Sequence, residues 1–243
     1  MPQQGQHIVQ RYGEDLRRLR SFMEEMGGLV EHQLSLILTA FTETDAQAIS
    51  QVIHHDKAID ALEHEVETQA IRLLALHGPM AADLREIVAN IPMAGTLERI
   101  GDYARSIARR LEQMEQPIPP HDRLALSEIG RMVLEHLRRV MDALEHQDAT
   151  AAHSVWQADH RVDEYCATMT HNYLERMTQQ PRALRFYISL LFIIRNLERI
   201  GDHITDIAER IIFIATGTLP PPTARPHGHA AQSIATEQEA STP

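Results

Sequence analysis

The chain has 243 residues, with 34 acidic side chains against 23 basic ones and a net charge of −11. That balance argues against nucleic acid or an anionic membrane surface as the main partner, since both are held by positive patches. A single cysteine, Cys166, excludes an intramolecular disulfide and a CxxC zinc site, and reads as a small buried residue.

No apolar run reaches the ~20 residues of a membrane span. The N-terminal residues lack a basic region followed by an apolar one, so no signal peptide is expected and the chain reads as soluble and cytoplasmic. Strand signals are nearly absent, and apolar residues recur at three- and four-residue spacing along most of the chain. The first helix is expected from Ile8 to about Thr42, with Gly27-Gly28 as a place where it kinks or loosens. Thr42-Glu43-Thr44-Asp45 is a turn with a capping residue, and a second helix runs from Ala46 to Leu76. Gly78-Pro79 closes it. Ala81 opens a third helix that lasts to about Gln113 and is bent at Pro92.

The segment Gln116 to Asp122, with three prolines, is the internal boundary and is expected to be non-helical. The pattern then starts again. Helices are expected from Leu124 to Glu145, from Ala149 to about Met177 and from Arg182 to Thr216, with turns at His146-Gln147-Asp148 and Gln179-Gln180-Pro181. The fold class is therefore all-α: two tandem three-helix bundles related by an internal repeat, each with its own core. The boundaries are 1–115 for the first bundle, 116–122 for the linker, 123–218 for the second bundle and 219–243 for a tail expected to be disordered. His227 and His229 in that tail read as solvated.

The repeat is most exact at Leu97-Glu98-Arg99-Ile100-Gly101-Asp102, which recurs letter for letter as Leu197-Glu198-Arg199-Ile200-Gly201-Asp202. Each copy places two carboxylates four residues apart, on one face of a helix, at a cost of roughly 0.2–0.5 kcal/mol in like-charge repulsion. A second pair precedes each copy: Asp56 with Asp60, and Asp159 with Asp163. Helices joined by a short turn pack antiparallel, so residues equally far from the turn are level. The first two pairs are centred about Pro79 and the second two about Gln180-Pro181, both in the turns. Four carboxylates level with one another need a counter-charge. A cation would supply it, and oxygen-only donors favour magnesium, manganese, iron or calcium over a thiolate-type zinc site. Gly101 and Gly201 would allow a ligand or neighbouring helix to come close. Internal arginines are the competing counter-charge: Arg99, Arg105, Arg195 and Arg199 are all nearby in sequence. Of the histidines near these pairs, His54, His55, His64, His160 and His203, each reads as a surface residue before a ligand. There is no Glu-x-x-His of the di-iron type, no phosphate-binding loop and no nucleophile elbow.

Met26-Gly27-Gly28-Leu29-Val30, Asp56-x-x-Ile59-Asp60, Leu73-Leu74-Ala75-Leu76, Ala82-Asp83-Leu84-Arg85 and the duplicated Leu-Glu-Arg-Ile-Gly-Asp stand in the order found in the PhoU family, which the chain resembles over roughly residues 15–218. The resemblance implies multinuclear metal clusters, iron or zinc, at Asp56, Asp60, Glu98 and Asp102 and at Asp159, Asp163, Glu198 and Asp202. It also implies a non-enzymatic regulator that restrains phosphate uptake and the phosphate-starvation response. Its partners would be the ATPase subunit of the phosphate ABC transporter and a sensor histidine kinase. Two departures stand out. Pro92 and Thr96 interrupt the helix ahead of the first motif. The polar ligand often found four residues past each motif aspartate is Ser106 in one half and Asp206 in the other, making the second site the more acidic. Apolar outer positions suggest a homodimer. A carboxylate-cluster enzyme, a phosphoesterase or oxidase, and a purely structural helical module remain as alternatives.

Overall fold

In the computed structural model, residues 3–43 and 45–221 are described, with side chains from Gln10 onward. The described residues form seven helices: α1 Gln3–Glu43, α2 Ala46–His77, α3 Ala81–Glu112, α4 Pro120–His146, α5 Ala149–Ala158, α6 His160–Gln179 and α7 Leu184–Thr216, with one 3-10 turn at Pro181–Ala183. No strand occurs among the described residues. The expected tail lies outside them from Pro222 onward.

The caps explain why the pattern repeats. Asp45 accepts from the Gln47 amide at 2.8 Å, and Asp148 accepts from Thr150 and Ala151 at 2.8 and 3.0 Å, so the second helix of each half starts on an aspartate. Gly78 ends α2 at φ +54°, and Gly217 ends α7 at φ +78°, in the left-handed conformation glycine adopts without strain.

The structure departs from the sequence reading in four places. The α4 helix begins at Pro120, inside the stretch expected to be non-helical, because proline is well suited to the first helical position, where its missing N–H is no loss. The α1 helix runs unbroken through Gly27-Gly28; a methyl at Gly27 would lie 2.4 Å from Met141 Cε, so the glycine makes room for α4. The helix expected from Ala149 is divided at Asp159 into α5 and α6. The buried side chains of both halves form one continuous cluster in place of two separate cores: α1 packs on α2, α3 and α4, and α7 packs on α3, α4, α5 and α6.

Contacts along α3 and α7 show that these helices run antiparallel. Arg85 Nε donates to the Ile214 carbonyl at 3.1 Å, Arg199 to the Tyr103 hydroxyl at 3.2 Å and Asn196 to Ser106 Oγ at 3.2 Å, while Arg110 lies 4.7 Å over the Phe192 ring. Tyr103, one residue past the first motif, also stacks on His203, one past the second. The two copies of the motif therefore sit back to back at the crossing. No helix is long and apolar enough to cross a membrane among the described residues.

Candidate metal centre

Leu97, Ile100 and Ala104 are fully buried and fix the inner side of α3, which brings Glu98 and Asp102 to the edge shared with α2. The register follows the turn: a methyl at Gly101 would lie 3.1 Å from Ile59 Cδ1, and one at Gly95 would lie 3.1 Å from Glu63 Oε1. Asp56 is only 4% exposed, and its carboxylate accepts from Arg105, whose guanidinium also donates to Asp102. One arginine thus spans two of the four predicted ligands and supplies the counter-charge there.

Asp60 and Glu98 complete the first quartet, and Glu63, three residues past Asp60, joins it. Burial pushes the Glu98 carboxyl up to about 7, with Asp102, Glu63 and Asp60 adding to the effect. Glu63 is raised in the same way, by burial first and then by Glu67 and Asp60. The sequence reading passed over Glu63, although its three-residue spacing from Asp60 places both on one helical face.

The second half resolves the same charge problem differently. Asp159 stands at the junction between α5 and α6, its carbonyl accepting from the Val162 and Asp163 amides at 2.8 and 3.3 Å. A methyl at Gly201 would lie 2.9 Å from Asp159 Oδ1, so the glycine lets that carboxylate press against α7. Asp159, Asp163 and Asp202 each offer a carboxylate oxygen, and these oxygens lie within 4.8 Å of one another. Glu198, the fourth predicted ligand, accepts from Arg195 at 2.7 Å. Asp202 is raised above the usual aspartate range, by burial first and then by Glu198, with Arg195 opposing.

Three exchanged positions account for the contrast. Arg105 is matched by Thr205, which is buried and donates to the Gly201 carbonyl at 3.1 Å, so no guanidinium enters from that position. Gly95 is matched by Arg195, which holds Glu198. Glu63 is matched by Cys166, a buried thiol pushed above its ordinary range by burial first and then by Glu198, Asp163, Asp159 and Asp202. Such a thiol stays protonated and is no nucleophile. Three of the histidines have other partners: His203 pairs with Asp206 at 3.4 Å, and His160 and His54 contact the Gln157 and Ser50 carbonyls, while the His55 ring lies 5.5 Å from that of His32 and its buried Nδ1 has no hydrogen-bond partner among the described residues. The donor set of the second half suits a hard, oxygen-seeking cation, whereas in the first half a cation would have to displace Arg105.

Known proteins share both the sequence and this architecture. The PhoU domain family model matches residues 23–111 and 126–211, one match for each half. A phosphate-specific transport system accessory protein PhoU homolog of Zymomonas mobilis is 39% identical over 219 residues, covering 90% of this chain and 92% of the relative. One from Caulobacter vibrioides is 37% identical over 87% of this chain and 93% of the relative. The crystal structure of PhoU from Pseudomonas aeruginosa superposes with a TM-score of 0.82 at 35% identity, covering 85% of this chain and all of that one. The phosphate transport system regulatory protein PhoU from Streptococcus pneumoniae superposes with a TM-score of 0.80 at 28% identity, over 86% of this chain and 99% of that one. Matched twice by the domain and along nearly its whole length by such relatives, the chain belongs to the PhoU family.

Proposed function

We propose that this protein is a cytoplasmic regulatory adaptor of a phosphate-specific transport system. It restrains phosphate uptake and the phosphate-starvation response when phosphate is plentiful, acting between the transporter's ATPase subunit and a sensor histidine kinase. It acts by docking and does no chemistry of its own. The observation that carries this reading is the length of the likeness to phosphate-specific transport accessory proteins, 90% of this chain in the Zymomonas mobilis case.

The carboxylates extend the proposal to a resident cation. Asp159, Asp163 and Asp202 would hold it, with Glu198 joining once released from Arg195. Asp56, Asp60, Glu98 and Asp102 form the second candidate set, reached after Arg105 moves. Iron, zinc, manganese and magnesium are the ions to test, with hard ions favoured by the all-oxygen donors. When bound, the cation would supply positive charge that ties α6 to α7. The paired helices leave the outer surfaces for partner docking, and a homodimer is part of the same reading.

Two measurements test this. Deleting the gene is expected to leave a phosphate-starvation reporter on in high phosphate; normal repression in the deletion strain would refute the regulatory role. Elemental analysis of tag-free protein purified without chelators is expected to find metal that an Asp163→Asn/Asp202→Asn variant loses. Equal metal in both proteins, or none in either, would remove the cation from the proposal and leave the adaptor role standing.

A further inference from the structure

A groove of about 370 Å³ opens where the C-terminal end of α3 faces the start of α7, well away from the carboxylate sites. Its walls carry Arg110, Arg182 and Arg185 against one acid, Glu115, in a chain whose net charge is −11. Met114 and Phe186 form an apolar side, while the Ser189 hydroxyl donates to the Arg185 carbonyl at 3.1 Å.

The internal repeat explains why these arginines are available. Arg85, the counterpart of Arg185, donates to the Ile214 carbonyl near the end of α7, at the opposite end of the same antiparallel helix pair. Repeated at the other end, that bond would tie Arg185 to α3 near residue 114, but α3 has ended at Glu112 and the chain turns away toward Pro120. Among the described residues, Arg182 and Arg185 form no ion pair, and Arg110 rests on the Phe192 ring, which orients a guanidinium without neutralising it. Guanidinium groups bind phosphoryl oxygens through paired, charge-assisted hydrogen bonds, and 370 Å³ matches a small organic ligand.

The geometry points to a binding site for a small phosphate-bearing anion in this groove, held by Arg110, Arg182 and Arg185. Inorganic phosphate would use the arginines alone. A nucleotide would use them for its phosphates and lay its base against Phe186 and Met114. The site rests on neither the proposed metal nor the proposed partners, so its test is separate from theirs.

Calorimetric titration of the full chain, in phosphate-free buffer at low salt, with ADP, inorganic phosphate and adenosine in separate runs tests it. ADP or inorganic phosphate is expected to bind while adenosine does not, and whichever binds identifies the source of the phosphoryl group. An Arg182→Gln/Arg185→Gln variant is expected to weaken binding by about tenfold or more, and Arg110→Gln to weaken it independently. Arg17→Gln, on the exposed side of α1, is expected to bind as the parent does, with thermal melts confirming that all four proteins are folded. No binding of either phosphate compound, equal binding of adenosine, or undiminished affinity in the folded arginine variants would overturn the assignment.

Discussion

Arg105 joins Asp56 to Asp102, binding the second helix of the first half to its third, and the residue in its place one hundred positions later is Thr205. The same hairpin of helices thus carries a built-in cation in one half and three converging aspartates in the other. Removing the guanidinium leaves Asp56 buried without its partner. Arg105→Ala is expected to lose ~2–3 kcal/mol in chelator-treated protein, since a broken, partly exposed pair costs somewhat less than a fully buried one. Added manganese should then restore more stability to the variant than to the parent, because the first quartet has become open to it. An unchanged melting temperature in Arg105→Ala would show that the pair does not hold the hairpin.

Glu98 gives the metal-free protein a specific pH dependence. Its folded value, about 7, stands above the 4.5 of an ordinary glutamate, so between those limits the folded state holds a proton the unfolded state has released. Stability contributed by the protonated form is complete at or below about pH 4.5 and is lost as pH rises to about 7. Because the group is partly exposed, the change is on the order of 1 kcal/mol after solvent screening. Glu98→Gln should flatten that part of the profile. Denaturant melts of parent and variant from pH 4.5 to 8 that run parallel would rule out Glu98 as its source.

Gly201 tests the second site without touching a ligand. An alanine methyl there would meet Asp159 Oδ1 at 2.9 Å, so the carboxylate must swing away. Gly201→Ala is expected to reduce bound metal at least as much as a single aspartate substitution. Gly28→Ala, where a methyl meets nothing within 4 Å, is expected to stabilise α1 by ~0.5–1 kcal/mol and leave metal content unchanged. Equal metal content in the two glycine variants would be the contrary result.

Glu86 offers a prediction about how the halves are joined. It is buried on α3, accepts from Arg20 Nη2 at 2.7 Å, and also accepts from Gln147 at the end of α4 at 2.8 Å. Arg20→Ala removes the positive member and leaves a buried carboxylate, at a cost of ~2–3 kcal/mol because Arg20 is itself half-exposed, or roughly 4–12 °C in melting temperature for a chain of this size. Gln147→Ala should cost less, ~1 kcal/mol, since it removes a neutral donor. A scanning calorimetry ranking in the reverse order would contradict this account.

The fold was legible because its signals are local. Asp45 and Asp148 cap, Gly78 ends α2, and the apolar spacing gives helices whose bounds differ from the expected ones mostly at their ends. The level placement of the acidic pairs also followed from the turns, as Gly101 against Ile59 and Gly201 against Asp159 confirm. Other features depended on side-chain reach across helices. Arg105 could be named as a competing counter-charge, but spacing alone could not choose between its partners. The division at Asp159 carries no proline or glycine to announce it, and residues 149–158 and 160–179 each read as good helix. The start of α4 at Pro120 is hidden because a run of prolines reads as a barrier, although its last member can begin a helix. The shared core depends on α1 meeting α4 and α3 meeting α7, contacts between segments far apart in sequence.

That shared core has a consequence for how far the two halves can differ. A contact in which α3 of one repeat lies antiparallel to its own counterpart α7 has the geometry of a self-complementary two-fold dimer interface. Here the two partners are one polypeptide, so the interface cannot dissociate and no longer requires identical surfaces. A free homodimer must accept every substitution twice; a fused one accepts it once. Arg105 against Thr205, Gly95 against Arg195 and Glu63 against Cys166 are changes of that kind. Covalent linkage thus lets two matching surfaces differ chemically, and neither half is expected to fold if expressed without the other.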